Sequence, residues 1–93
     1  MITGKTKSGF KFKVREKIGE DARVAWYVAL TTDEDDTTKM RGMRKLLQLI
    51  SGSDDEYERL LEHVASKNEG LCPQDIVSAE IAEIISASNA SKN

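Results

Sequence analysis

Hydrophobic and polar positions alternate near the start of the chain. Phe10, Phe12 and Val14 are separated by Lys11 and Lys13, the period-two pattern of a strand with one buried face. Ser8-Gly9 precedes them as a turn signal, so residues 2 to 6 are expected to pair back as the first arm of a hairpin. The lysines fall on the wet face, where cations also discourage unwanted edge-to-edge pairing. A bare hairpin is marginal in water. The greasy side of Phe10, Phe12 and Val14 is therefore expected to turn inward onto a helical layer.

From residue 21 the period becomes helical. Residues 21 to 32, "DARVAWYVALTT", carry two apolar stripes: Ala22, Ala25, Trp26 and Ala29, and Val24, Tyr27, Val28 and Thr31. A helix apolar on two sides is either sandwiched in a core or keeps one side for a partner. Residues 37 to 51 form a second helix with Met40, Met43, Leu46, Leu47 and Ile50 on its stripe. Gly52 ends it. "SDDE" at 53 to 56 is the pattern of a capping box, in which Ser53 takes the N3 amide and Glu56 reaches back to the Ser53 amide. A third helix with Tyr57, Leu60, Leu61, Val64 and Ala65 on one face follows and stops before Gly70. Pro73 suits the first turn of a fourth helix, whose buried side reads Val77, Ile81, Ile84 and Ile85, widened by Ile76. The closing "SASNASKN" is small and polar, and is expected to be loose. The order β-β-α-α-α-α predicts an α+β domain over residues 1 to 88, a hairpin on about four helices, with a flexible polar tail at 89 to 93.

Length and composition narrow the class. Ninety-three residues point to one domain. With 39% apolar and 32% charged residues, the chain is too apolar for a disordered tail and too charged for a membrane protein. No apolar run reaches the roughly 20 residues of a bilayer span, and "MITGKTKSGF" has no apolar stretch of the secretory kind. Cys72 is the single cysteine, so no intramolecular disulfide forms. These features fit a reducing cytoplasm. The net charge of −2 argues against a general nucleic-acid binder. It is unevenly spread: residues 1 to 17 hold six cations against Glu16 alone, and residues 33 to 36 read "DEDD".

Candidate chemistry is sparse. His63, the single histidine, lies on the flank of the third helix between Arg59 and Lys67 and reads as a boundary residue, since catalysis needs a constellation. Cys72 sits at the expected start of the fourth helix, where a dipole can activate a thiol, but a Cys-His pair without an orienting third group makes a poor nucleophilic site. One Cys and one His do not build a zinc site. "DEDD" lacks the alternating ligands, the glycine and the twelfth-position Glu of a calcium loop, and no Gly-rich phosphate loop exists. The expectation is a protein without catalytic residues, metal or cofactor. Alternating Lys and Phe do suggest a base-stacking strand, yet alternation puts them on opposite faces. If the rings met bases, the hairpin would have nothing to bury.

Three stretches carry a resemblance: "SGFKFKV", "EDARVAWYVAL" and "LLQLISGSDDEYERLLEHVASKNEGLCPQDIVSAEIAEII". Their succession resembles the tail assembly chaperones of long-tailed bacteriophages, encoded in phage and prophage tail operons. The likeness spans nearly the whole chain and lies in layout, not in invariant catalytic letters. The "TTDEDDTTKMRGM" link is more charged than that family's usual pattern. The resemblance implies a non-enzymatic, cofactor-free protein of the bacterial host cytoplasm. Such a protein keeps the long helical tape measure protein soluble, helps recruit tail tube protein, and is absent from the mature virion. Family members are commonly made in two lengths by a programmed frameshift. For such a role Trp26 and Tyr27 offer anchors, and Met40 and Met43 offer adaptable contacts. Self-association through the double-striped helix is a further possibility. The alternative is a small nucleic-acid-binding or regulatory domain using the basic hairpin with Arg41 and Arg44. A Cys-dependent enzyme is a distant third reading.

Overall fold

The computed structural model describes residues 2–90. It is an α+β fold: an N-terminal antiparallel hairpin, β1 (Ile2–Lys5) and β2 (Lys11–Val14), followed by helices α1 (Ala22–Leu30), α2 (Asp36–Ser51), α3 (Glu56–Lys67) and α4 (Gln74–Ala90). A short 3-10 turn, Ile18–Glu20, links β2 to α1.

The hairpin's alternation is realised as expected. Phe10, Phe12 and Val14 are buried, while Lys11 and Lys13 are exposed. Their rings and methyls join a core completed by Ile18 and by apolar residues of α2, α3 and α4, with Leu46, Leu47, Ile50, Leu60 and Ile84 almost fully enclosed. Gly4 stands opposite Phe12 in the register. A Cβ at Gly4 would lie 2.6 Å from the Phe12 ring, so the missing side chain leaves room for the ring against the strand.

Polar contacts fasten the hairpin to the helices. The Arg15 amide donates to the Ile50 carbonyl at 2.8 Å, and its guanidinium donates to the Leu49 carbonyl at 3.3 Å. Both carbonyls lie in the last turn of α2, whose C-terminal oxygens lack helical partners. Arg59 of α3 donates to the Lys11 carbonyl at 2.8 Å, lies over the Phe10 ring at 5.0 Å, and pairs with buried Glu56. Because the hairpin sits at the end of α2 and the acidic run 33–36 at its start, the opposite charges are held roughly 24 Å apart by a 16-residue helix.

Several local expectations are corrected. Ser53 does not cap α3. Its hydroxyl donates to Asp55 at 2.6 Å, and its amide goes to the Ser51 hydroxyl at 3.1 Å. Glu56 turns to Arg59 instead of back to Ser53, so the capping box is not formed and α3 starts two residues later, at Glu56. Residues 86–90 are not loose: α4 runs through Ala90, with Ala87 against the core and Ser88 buried. The tail assigned to 89–93 is thus helical at its first two residues, and 91–93 lie outside the described residues. Ile76 stays exposed and does not widen the buried face.

Asp21 caps the start of α1: its carboxylate accepts from the Arg23 amide at 2.9 Å and from the Arg23 guanidinium at 2.7 Å. These hydrogen bonds, the side-chain one first, pull the Asp21 pKa from 3.8 to about 2. A carboxyl with a lowered folded-state pKa adds stability above its unfolded pKa, and that stability is lost as pH falls through the folded value. The start of α1 is therefore expected to loosen between about pH 4 and pH 2. Amide NMR shifts of Arg23 would follow this change, and Asp21→Asn should abolish that step.

Candidate partner-binding surfaces

Helix α1 packs on the outside of the bundle. None of its residues is buried. The stripe of Val24, Tyr27 and Val28 lies half-buried against the core, and Tyr27 receives the Lys45 ammonium 5.9 Å from its ring centre. The other stripe, Ala22, Ala25, Trp26 and Ala29, faces water along its whole length. Trp26 is 64% exposed. A large indole flanked by three alanines gives a smooth apolar strip with little side-chain entropy to lose on contact. The helix keeps one side for the fold and leaves the other free.

Met40 and Met43, placed on one stripe by their spacing, part company. Met43 is 4% exposed and belongs to the core, so its assignment as a partner contact is corrected. It follows Gly42, where α2 crosses α1: a Cβ there would lie 2.6 Å from the Leu30 Cβ. Met40, one turn earlier, escapes that crossing and is 47% exposed. It lines a groove of about 340 Å³ between α2 and α3, together with Tyr57 and Leu61 and the cations Arg41 and Arg44. Arg44 is tied to Glu58 at 3.1 Å. Burial, followed by the nearby Cys72 and Glu58, raises the Tyr57 phenol pKa, so the groove floor keeps a neutral hydroxyl. Of the four expected contacts, Trp26 and Met40 are therefore on the surface, Tyr27 is shared with the core, and Met43 is inside.

His63 and Cys72 engage different partners. The Cys72 thiol donates to the Leu61 carbonyl at 3.1 Å. His63 joins a polar cluster at the hairpin turn that sequence spacing did not reveal. Glu80 of α4, 5% exposed, accepts from the Ser8 hydroxyl at 2.6 Å and from the Thr6 hydroxyl at 2.8 Å. The His63 Nε2 lies 2.8 Å from Ser8 Oγ. Glu83 accepts from the Lys7 amide at 2.9 Å. Serine has one proton to give. With that proton on Glu80, the His63 contact is satisfied by an Nε2–H donating to Ser8. The carboxylate thus touches the serine and not the imidazole, the reverse of the order in a Ser-His-acid triad, where the acid orients the histidine that takes the serine proton. The cluster reads as a clasp holding the turn to α3 and α4. Its members are up to 76 positions apart, and only the lone buried-face position of Glu80, one residue before Ile81, could have hinted at it.

Among the described residues no group of three or more His, Cys, Asp or Glu side chains is placed to hold a metal ion, and no helix is long and apolar enough to cross a membrane. Comparisons with protein-family models, with characterised proteins and with solved structures give no match to the chain.

Proposed function

We propose that the protein is a tail assembly chaperone of a long-tailed phage or prophage, which holds the helical tape measure protein soluble in the host cytoplasm and passes it on to the tail tube protein. It acts by adhesion, without catalysis or cofactor, and is left out of the finished virion. The observation that carries this reading is the free side of α1, where Trp26 stands 64% exposed among exposed alanines on a helix that already spends its other stripe on the fold. An exposed apolar strip of this kind suits a helix-on-helix contact. Met40 in its groove adds a second adaptable apolar contact. The burial of Phe10 and Phe12 supports a polypeptide partner over a nucleic acid, because the basic hairpin then offers no ring on which a base can stack.

The test is co-expression with the tape measure protein of the same operon. The chain is expected to raise the soluble yield of that protein and to co-purify with it, with affinity that changes little between low and high salt. Trp26→Ala should weaken the complex by about tenfold or more, as loss of a central aromatic anchor does. Its own stability should move by no more than about 0.5 kcal/mol, because the ring is in water. Unchanged solubility of the tape measure protein, or tight binding of single-stranded nucleic acid that collapses as salt rises, would contradict this assignment.

A further inference from the structure

The two edges of the hairpin are treated differently by the fold. Thr6 donates its amide to the Phe10 carbonyl, which marks that pair as hydrogen-bonded. Pairs alternate along an antiparallel ladder. Gly4–Phe12 and Ile2–Val14 are thus hydrogen-bonded, and Lys5–Lys11 and Thr3–Lys13 are not. Residues of the latter pairs direct their N–H and C=O groups away from the partner strand. On β2 the helices close this edge at both ends: Arg59 donates to the Lys11 carbonyl, and the Arg15 amide, one residue past β2, donates to Ile50, while the Lys13 groups between them have no partner among the described residues. On β1 the outward groups of Thr3 and Lys5 have no partner among the described residues, β1 pairs only with β2, and both residues are exposed.

We infer that the free edge of β1 is a docking site for an extended acidic segment of another polypeptide, added as a third antiparallel strand. Charge selects the sequence. Lys5 stands on the wet face directly beside the added strand, with Lys11 and Lys13 one strand further on and Arg59 beyond. Alternate acidic residues of the incoming strand fall on that face. A groove of about 760 Å³ runs between the two strands and the α2–α3 corner, lined by Lys5, Lys11, Lys13, Ser53, Arg59 and Glu56, and the one carboxylate in it is paired with Arg59. Backbone bonds supply the pairing and the lysines the preference. A nucleic acid would share the charge preference but gains nothing from an N–H and C=O ladder, and Phe10 and Phe12 are not available to its bases. This edge is separate from the Trp26 strip and the Met40 groove, and its occupancy does not depend on what they bind.

The probe is a fluorescein-labelled peptide alternating Glu with Thr and Val, followed by anisotropy and by hydrogen exchange of single amides in the intact chain. Saturating peptide is expected to slow exchange at Thr3 and Lys5 by about tenfold or more relative to other exposed amides. N-methylation of alternate peptide nitrogens, replacement of its Glu by Lys, or the surface change Lys5→Glu should each weaken binding by about tenfold or more. The inference is overturned by absence of binding, by equal affinity of the N-methylated peptide, or by tighter binding of an oligothymidine. Protection of Thr3 and Lys5 on concentrating the protein alone would also overturn it, by giving the edge to a second copy.

Discussion

Replacing Phe12 with alanine is expected to remove about 3–5 kcal/mol of unfolding free energy, the usual cost of emptying a buried aromatic site. The ring is 5% exposed, sits across from Gly4 and fills the space between the hairpin and the helices. Collapse cannot refill that space, because the strand is held on its other side by the Arg15 and Arg59 contacts. A chain of 93 residues has roughly 5–14 kcal/mol of stability in total, so one substitution consumes a large share and brings thermal unfolding close to ambient temperature. Lys11→Ala and Lys13→Ala, one position to either side, should each shift stability by no more than about 0.5 kcal/mol. Urea unfolding of the three variants measures the contrast. Equal small effects would mean that the aromatic side of β2 is not the core side.

Gly42→Val should be the next most damaging change, at about 1–3 kcal/mol. Two effects oppose each other at this position. A side chain relieves the helix of a glycine, worth about 0.8–1.0 kcal/mol for alanine. Against that, a Cβ would stand 2.6 Å from Leu30 Cβ and 3.2 Å from the backbone of Leu30 and Thr31. None of these atoms is the far end of a flexible chain, so α1 must move away from α2 as a body. Sterics should win even for Gly42→Ala, and by a wider margin for valine. Since α1 buries no residue of its own, the loss should be local. Amides of α1 should lose hydrogen-exchange protection while those around Leu46, Leu60 and Ile84 keep theirs. An alanine variant more stable than the parent would show that the close crossing is not there.

The layout of the fold was readable because its signals are periodic and local. Phe10, Phe12 and Val14 announce one face of a strand by alternation, and Leu46, Leu47, Ile50, Leu60 and Val64 announce helix faces by 3.6-residue spacing. What periodicity cannot say is which neighbour covers a stripe. Met40 and Met43 share a stripe, but the α1 crossing at Gly42 separates their fates. The Ala22–Ala25–Trp26–Ala29 and Val24–Tyr27–Val28 stripes look alike in sequence, and only packing shows that the second is the one laid half-buried against the core. "SDDE" has the letters of a capping box, yet Glu56 finds Arg59, itself held against Lys11 and Phe10 across 48 positions. The Ser8–His63–Glu80 clasp was hidden for the same reason, being made by residues from three separate elements. The polar composition of 86–90 suggested a loose end, but Ala87 and Ser88 fall on the same face as Ile81 and Ile84 and are drawn into the helix by it.

Phe10, Phe12 and Val14 of the hairpin are consumed by the core, and the large apolar side chains left in water are Trp26 on α1, Met40 at the α2–α3 groove, and Ile2, Leu71 and Ile76 singly elsewhere. On the proposed reading, the α1 strip and the groove are where a polypeptide is gripped. The most direct measurement is the fluorescence of Trp26, the only tryptophan in the chain, during titration with the tape measure protein. The free chain should emit as a water-exposed indole and be quenched readily by acrylamide. In the complex, emission should shift to the blue and quenching should fall sharply. A complex that forms while Trp26 keeps its emission and its quenching would contradict adhesion through α1.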